Sequence, residues 1–205
     1  MVCLPLYYFG AMTGIHGKYK NLGDRNRMID LTKTPADFIL SSASTFYKSQ
    51  VFDTLRFDEK LMTEEDTKIN LSIVKRQFKI GYVCEKKVKY NYRKRDEGGS
   101  NVDILSSGGN YDALMAPIYI FEDLLGYDDE LSSYEKELVV YELRSRLKVI
   151  KKELLTEEEY ENIISAYSKW IKKLDTEFII HSKWLETIEK KVLFLNLSER
   201  TFSDV

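Results

Sequence analysis

The stretch FDEKLMTEED, residues 57–66, places five carboxylates within ten residues, directly before a pattern that predicts a helix over about residues 64–77. One interpretation of this acidic cluster is helix capping. Thr63 and Asp66 fit the pattern of an N-cap with its third residue, and acidic side chains in a first turn gain roughly 0.3–1 kcal/mol from the helix dipole. Spacing alone favours this interpretation.

The alternative gives Asp66 a catalytic role. A carboxylate held rigidly at a helix N-terminus can remove a proton from a bound hydroxyl group. Because the helix dipole favours the anion, we expect Asp66 to be ionised at neutral pH and to be a weak base. The cluster is therefore a candidate active site that must be weighed against capping.

Short strands and turns surround this segment. The apolar run VCLPLYYF predicts a core strand over residues 2–9, and we expect a missing half before it because nothing earlier could pair with it. A polar loop with four glycines follows and is a candidate binding segment. Within it, His16 is either a ligand contact or a lone surface histidine. The other predicted elements are Phe38–Leu40 leading into Ser41–Ser44, a short helix over 50–55, and strands over 80–84 and 87–93.

Long helical patterns begin after Gly109, so we divide the chain into residues 1–109 and 110–205. The first helix is predicted over residues 111–125, and Thr156 with Glu159 predicts a capping box. Helical spacing assigns Trp170 and Trp184 to the core rather than to a ligand site. The three predicted apolar stripes are Val139, Leu143, Leu147, Ile150 and Leu154; Tyr160, Ile163, Tyr167, Trp170 and Leu174; and Phe178, Trp184, Leu185, Ile188, Val192 and Leu195.

The overall composition excludes several classes of protein. Thirty-one basic residues nearly balance thirty-three acidic ones, which argues against a nucleic acid partner. No apolar run reaches the roughly 20 residues that a membrane span needs. Cys3 and Cys84 lack metal-ligand spacing and are expected to be reduced, packed thiols of a cytoplasmic protein.

A second polar segment, YNYRKRDEGGS, covers residues 90–100 and joins a predicted strand to a basic loop. Arginine side chains suit phosphate oxygens, and Gly98 with Gly99 would let the loop fold over a ligand. The alternative is a solvated edge strand whose basic side chains discourage pairing with other chains.

Three segments together resemble family 2 glycosyltransferases of the GT-A type, over roughly residues 1–105. They are SSASTFYK at residues 41–48, FDE with EED at 57–59 and 64–66, and YNYRKR at 90–95 with Ser100. The resemblance looks closest to bacterial enzymes that build capsular polysaccharide or teichoic-acid-type glycans. It implies an α+β chain, in which a partial GT-A (nucleotide-diphospho-sugar transferase-like) half on the acceptor side is followed by an all-helical C-terminal region.

The resemblance also implies an activity, the inverting transfer of a sugar from a nucleotide-sugar donor to a hydroxyl of a glycan acceptor. Asp66 matches the general base, and Glu65 has a neighbouring acceptor or structural role. Residues matching the donor diphosphate site are Arg93, Arg95 and Ser100. Residues matching the sugar and acceptor pocket are Ser41, Ser42 and Glu64.

The chain departs from the family in lacking a nucleotide-binding half with its Asp-x-Asp motif. We therefore expect a divalent cation, Mn or Mg, only in a full-length enzyme, and we assign no metal ligand here. Where many relatives have a histidine, this chain has Arg95. The resulting hypothesis is an enzyme fragment, inactive alone, located in the cytoplasm or at the inner face of the membrane through partners.

A second hypothesis comes from the helical region. Its amphipathic helices could bury one face against a partner or against a second copy of the chain. The chain would then be a non-catalytic helical protein-interaction or oligomerisation module that forms a homo-oligomer through its C-terminal helices.

Overall fold

The computed structural model describes residues 1–20, 22–23, 25–76, 79–85, 87–95, 105 and 107–200. The chain forms two compact units, Met1–Ser100 and Asn101–Val205. The first contains two small sheets and the second is helical, which confirms the predicted α+β class. No helix among the described residues combines the length and the apolar character needed to cross a membrane.

Seven short strands build the sheets in the described part of the first unit. They are β1 Val2–Cys3, β2 Leu6–Gly10, β3 Gly14–Ile15, β4 Arg27–Ile29, β5 Thr45–Phe46, β6 Ile80–Tyr82 and β7 Tyr90–Lys94. The four-stranded sheet has the order β4-β6-β1-β5, and the three-stranded sheet has the order β3-β2-β7. The β1–β6 and β2–β7 pairs are parallel, while the others are antiparallel.

The strand predicted over residues 2–9 is in fact two strands, β1 and β2, which belong to different sheets. The backbone N–H of Leu4 donates to the carbonyl oxygen of Ser44, and the carbonyl oxygen of Pro5 accepts from Tyr90. Proline has no N–H to donate to a ladder, so the chain changes partners at this point.

The described residues of the first unit also form two α-helices, the short α1 Gly17–Lys20 and the longer α2 Glu65–Lys75. Helix α2 buries Ile69, Leu71 and Ile73, and the burial of Ile69 and Ile73, which lie four residues apart on one face, favours the helix. The short helix predicted over residues 50–55 is a 3₁₀ helix, Ser49–Asp53. Cys3 is buried, and both cysteines are free thiols.

The second unit contains five α-helices in its described part. They are α3 Tyr111–Leu124, α4 Ser133–Leu147, α5 Glu157–Ile171, α6 Thr176–His181 and α7 Ile188–Leu197. The predicted capping box of Thr156 and Glu159 is confirmed at the start of α5. Trp170 is fully buried, with its ring centroid 5.2 Å from that of Phe121, so its predicted core role is also confirmed.

Two of the predicted apolar stripes do not form single helices. Helix α4 ends at Leu147, and Leu154 lies in a separate 3₁₀ helix with 53% of its surface exposed. The last stripe is divided between α6 and α7, and its member Ile188 is exposed.

The boundary between the two units falls between Ser100 and Asn101. It therefore lies before the glycine-serine stretch at which the sequence predicts it. Gly108 is buried, and its carbonyl oxygen accepts from the backbone N–H of Lys151. It adopts a φ of +76°, and a Cβ atom there would lie 1.9 Å from the carbonyl oxygen of Val149. Gly108 therefore packs within the helical unit instead of serving as a linker.

Candidate functional site

Asp66 lies in the first turn of helix α2, where its carboxylate binds two backbone groups. One oxygen, Oδ2, accepts from the N–H of Ser42 at 3.1 Å, and Oδ1 accepts from the N–H of Thr67 at 2.9 Å. The capping pattern expected of Thr63 and Asp66 is wrong. The N-cap is Glu64, with a φ of 70° and no side-chain cap bond, and Asp66 is directed toward the Ser42 segment instead.

The environment of Asp66 raises its pKa to about 6. Burial is the main cause, the negative charge of Glu64 adds to it, and that of Glu65 contributes less. The N–H groups of Ser42 and Thr67 act in the opposite direction. Asp66 is therefore mostly ionised at pH 7, as predicted, but it is a stronger base than the helix dipole alone would make it.

Residues 40–47, which include the Ser42 partner of Asp66, are held in place by side-chain hydrogen bonds. Asn70, on helix α2, donates from Nδ2 to the carbonyl oxygen of Leu40 at 2.9 Å. Its Oδ1 accepts from the hydroxyl of Tyr47 at 2.8 Å. Thr45 donates to the carbonyl oxygen of Ser41 at 2.7 Å. These bonds fix residues 40–47 against the helix, so the position of Asp66 relative to Ser42 is defined.

Two tyrosines lie close enough to Asp66 to sense its charge. Burial raises the pKa of both Tyr19 and Tyr47, and the negative charge of Asp66 contributes to each increase. Tyr19 is also hydrogen-bonded to the Ser44 hydroxyl. Both phenols therefore stay protonated at neutral pH beside the carboxylate.

The other predicted acidic residues flank Asp66. The carboxylate of Glu64 accepts from the hydroxyl of Thr67 at 2.5 Å, and Glu65 is half-buried in the first turn of the helix. The structure thus brings Ser42, Glu64, Glu65 and Asp66 into one place.

The basic residues predicted at the donor diphosphate, Arg93 and Arg95, lie in and directly after strand β7. Arg93 pairs with Phe9 in the β2–β7 ladder, so its side chain leaves the sheet on the face opposite Tyr92 and Lys94. Arg95 follows the end of β7, and both arginines are exposed. Among the described residues, neither forms a hydrogen bond or ion pair with Asp66. Ser100 lies outside the described residues.

An aromatic cluster that sequence reasoning missed borders this site. The ring of Tyr8 lies 6.0 Å from that of Tyr92 and 5.6 Å from that of His16, between centroids. His16 in turn lies 5.8 Å from Tyr19. The available signal was the presence of tyrosine in each of two predicted strands, and the pairing of those strands places Tyr8 and Tyr92 on one face.

His16 is half-buried, so its interpretation as a lone surface histidine is wrong. Its Nδ1 accepts from the backbone N–H of Lys18 at 3.2 Å. Burial lowers the pKa of His16, and the positive charges of Lys18 and Lys94 lower it further. The imidazole is therefore neutral at pH 7, with its proton on Nε2.

The described residues do not fit the divalent cation expected of a full-length enzyme. They contain no group of three or more His, Cys, Asp or Glu side chains arranged to hold a metal ion.

Two proteins of Bacillus subtilis (strain 168) are similar to this chain. The minor teichoic acid biosynthesis protein GgaB is 25% identical over 188 residues, covering 89% of this chain and 21% of GgaB. The minor teichoic acid biosynthesis protein GgaA is 26% identical, covering 97% of this chain and 46% of GgaA. The chain therefore spans about a fifth and just under half of these relatives. The expected relationship to teichoic-acid-type proteins is confirmed.

Neither of the other two comparisons finds a match. No protein-family model and no solved structure matches the chain.

Proposed function

We propose that this chain supplies the acceptor side and the general base of an inverting glycosyltransferase that acts in surface polysaccharide synthesis. The observation that supports this most is the state of Asp66, a half-buried carboxylate with a pKa of about 6, held by the backbone N–H of Ser42. A general base works best when its pKa lies near the working pH and its position is fixed.

In the proposed step, an Asp66 oxygen accepts the proton of the acceptor hydroxyl while that hydroxyl oxygen forms a bond to the anomeric carbon of the donor sugar. The bond from this carbon to the nucleotide diphosphate breaks, and the diphosphate leaves with the electron pair. One displacement inverts the configuration. Each Asp66 oxygen has one N–H partner and a second lone pair for the incoming hydroxyl.

The similarity to two teichoic acid biosynthesis proteins supports the choice of a surface glycan as the product. We assign the first unit, Met1–Ser100, to the acceptor side of a GT-A catalytic domain of family 2 and the second unit, Asn101–Val205, to its helical region. Donor binding, including any Mn or Mg ion, would then depend on an Asp-x-Asp motif, which this sequence does not contain. Residues 1–205 alone are accordingly expected not to turn over, and the enzyme would work at the cytoplasmic face of the membrane.

The base assignment is tested by Asp66→Asn in the intact protein, assayed with a panel of nucleotide sugars and a glycan acceptor. We expect kcat to fall at least about 100-fold while the KM for the donor changes little. Asp58→Asn is the matched control, because Asp58 belongs to the same acidic segment but pairs with Lys68 at 2.6 Å. Near-normal turnover by the Asp66→Asn variant would return Asp66 to a purely structural role.

A second candidate function concerns the helical unit, which has its own buried core around Trp170. On its surface, Ile188 and Leu193 of helix α7 are 66% and 41% exposed. These side chains favour a role in binding a partner or a second copy of the chain. Light scattering after size exclusion tests this, and a monomer that binds no partner would count against it.

A further inference from the structure

One face of the three-stranded sheet carries two half-buried tyrosines, Tyr8 and Tyr92. In the parallel β2–β7 ladder, Tyr8 pairs with Tyr92, and Gly10 pairs with Lys94. Residues paired in this way leave the sheet on the same face. On the other side of Tyr8, its partner in β3 is Gly14, where a Cβ atom would find no neighbour within 4 Å. Because Gly10 and Gly14 have no side chains, neither covers the tyrosine rings.

A cation lies at the edge of this face. The Nζ atom of Lys94 is 5.7 Å from the Tyr8 ring centroid and 5.6 Å from that of Tyr92. Among the described residues it has no acidic partner within ion-pair distance. Within that part of the chain, its charge is balanced only by weak contacts with the two rings.

His16 supplies a further donor beside Tyr8. Since its Nδ1 accepts the N–H of Lys18, the neutral ring presents a proton on Nε2, and the described residues offer that proton no acceptor. The charges of Lys18 and Lys94 both lower the pKa of His16, which indicates a positive local potential. Tyr19 connects this cluster to the general base, because its ring contacts His16 and its pKa responds to Asp66.

We propose that the aromatic face formed by Tyr8, Tyr92, His16 and Lys94 is a subsite for a phosphate-bearing sugar. The aromatic rings pack against the apolar side of a sugar ring, while the Lys94 ammonium and the His16 Nε2–H donate to phosphate oxygens. This assignment rests on the proposed function. The subsite lies on the face of the sheet opposite Arg93. The substrate that binds beside Asp66 would then be anionic.

The chain offers a matched control for Lys94. The Nζ atom of Lys89 lies 5.2 Å from the Tyr7 ring centroid. Tyr7 leaves β2 on the face opposite Tyr8. Lys94→Met and Lys89→Met therefore remove the same charge and the same kind of ring contact from opposite faces of one sheet.

Binding is measured by titration calorimetry on the intact protein with glucose 1-phosphate, and with glucose as the uncharged reference. We expect Lys94→Met to weaken glucose 1-phosphate binding at least about tenfold, as typical for loss of a charge-assisted hydrogen bond. Lys89→Met should leave this affinity unchanged. Equal affinity in the two variants, or no binding of glucose 1-phosphate by the unaltered protein at millimolar concentration, would overturn the proposal.

Two further probes identify the source of the phosphate. If the Lys94→Met variant selectively loses UDP-glucose binding, the subsite holds a donor phosphate. If it selectively loses binding of a glucosylated glycerol phosphate trimer, the subsite holds an acceptor phosphate. Either outcome supports the subsite. An equal affinity of both lysine variants for both probes would overturn it.

The binding test of the subsite and the turnover test of the catalytic base can fail independently of each other. If Asp66→Asn abolishes turnover while the two lysine variants bind alike, the subsite is wrong and the base assignment stands. If the Lys94→Met variant loses binding while the Asp66→Asn variant turns over normally, the subsite stands and the base assignment fails.

Discussion

The raised pKa of Asp66 predicts how the stability of the first unit changes with pH. An aspartate has an ordinary pKa near 3.8, and in the folded protein that of Asp66 is about 6. Above pH 6 the folded state must keep a carboxylate ionised in a partly buried site, which costs free energy. The stabilisation relative to the unfolded chain is complete below about pH 4 and is lost as the pH rises through 6.

The size of the effect follows from the shift. A difference of about two pH units, at roughly 1.4 kcal/mol per unit, corresponds to about 3 kcal/mol. This value is an upper limit, because water reaches the half-buried carboxylate and screens it. As the pH falls from 8 to 4, the free energy of unfolding of the wild-type chain should therefore rise by up to about 3 kcal/mol relative to that of the Asp66→Asn variant.

Urea unfolding between pH 4 and 8, followed through the amide NMR signals of Met1–Ser100, measures this difference. Both tryptophans lie in the helical unit, so the amide signals of Met1–Ser100 report on the first unit separately from tryptophan fluorescence. Asp58→Asn should give the opposite sign, because Lys68 lowers the pKa of Asp58. A difference between wild type and the Asp66→Asn variant that is constant with pH, or that grows as the pH rises, would refute the argument and restore the helix dipole as the dominant influence.

Three further changes test neighbouring parts of the structure. Glu64→Gln should lower the pKa of Asp66, measured by carboxyl NMR titration, since a negative charge that raises it is removed. Gly10→Ala should destabilise the first unit by at least about 1 kcal/mol in urea unfolding, because φ is +94° and the new Cβ atom would lie 2.3 Å from a backbone oxygen of β7. Gly17→Ala, with open space around it, should not. Trp170→Ala should cost the helical unit about 3–5 kcal/mol, measured by circular dichroism during urea unfolding, and a loss below about 1 kcal/mol would contradict its central packing role.

Local signals in the sequence predicted the helices best. The capping box of Thr156 and Glu159 and the helix over Tyr111–Leu124 depend on residues close in sequence, so they could be identified without a structure. The break at Pro5 depends on partners about 40 and 85 residues away, Ser44 and Tyr90, which no local pattern reveals.

The same distinction applies to the candidate site. Thr63 and Asp66 match a local capping pattern, yet Asp66 bonds to the backbone of Ser42, 24 residues earlier. Its raised pKa arises from burial, which depends on the folded surroundings. The sequence shows only tyrosines in two separate strands, because the parallel pairing that places Tyr8 beside Tyr92 cannot be read from either segment alone.

The pH dependence of turnover by the intact protein tests the central claim, that Asp66 is the general base, most directly. The wild-type enzyme should show an acidic limb in kcat/KM with an apparent pKa of about 6, falling about tenfold per pH unit below it. The Asp66→Asn variant should be at least about 100-fold slower at pH 7 and should lack that limb. An Asp66→Asn variant with wild-type rates and an unchanged acidic limb would contradict the assignment.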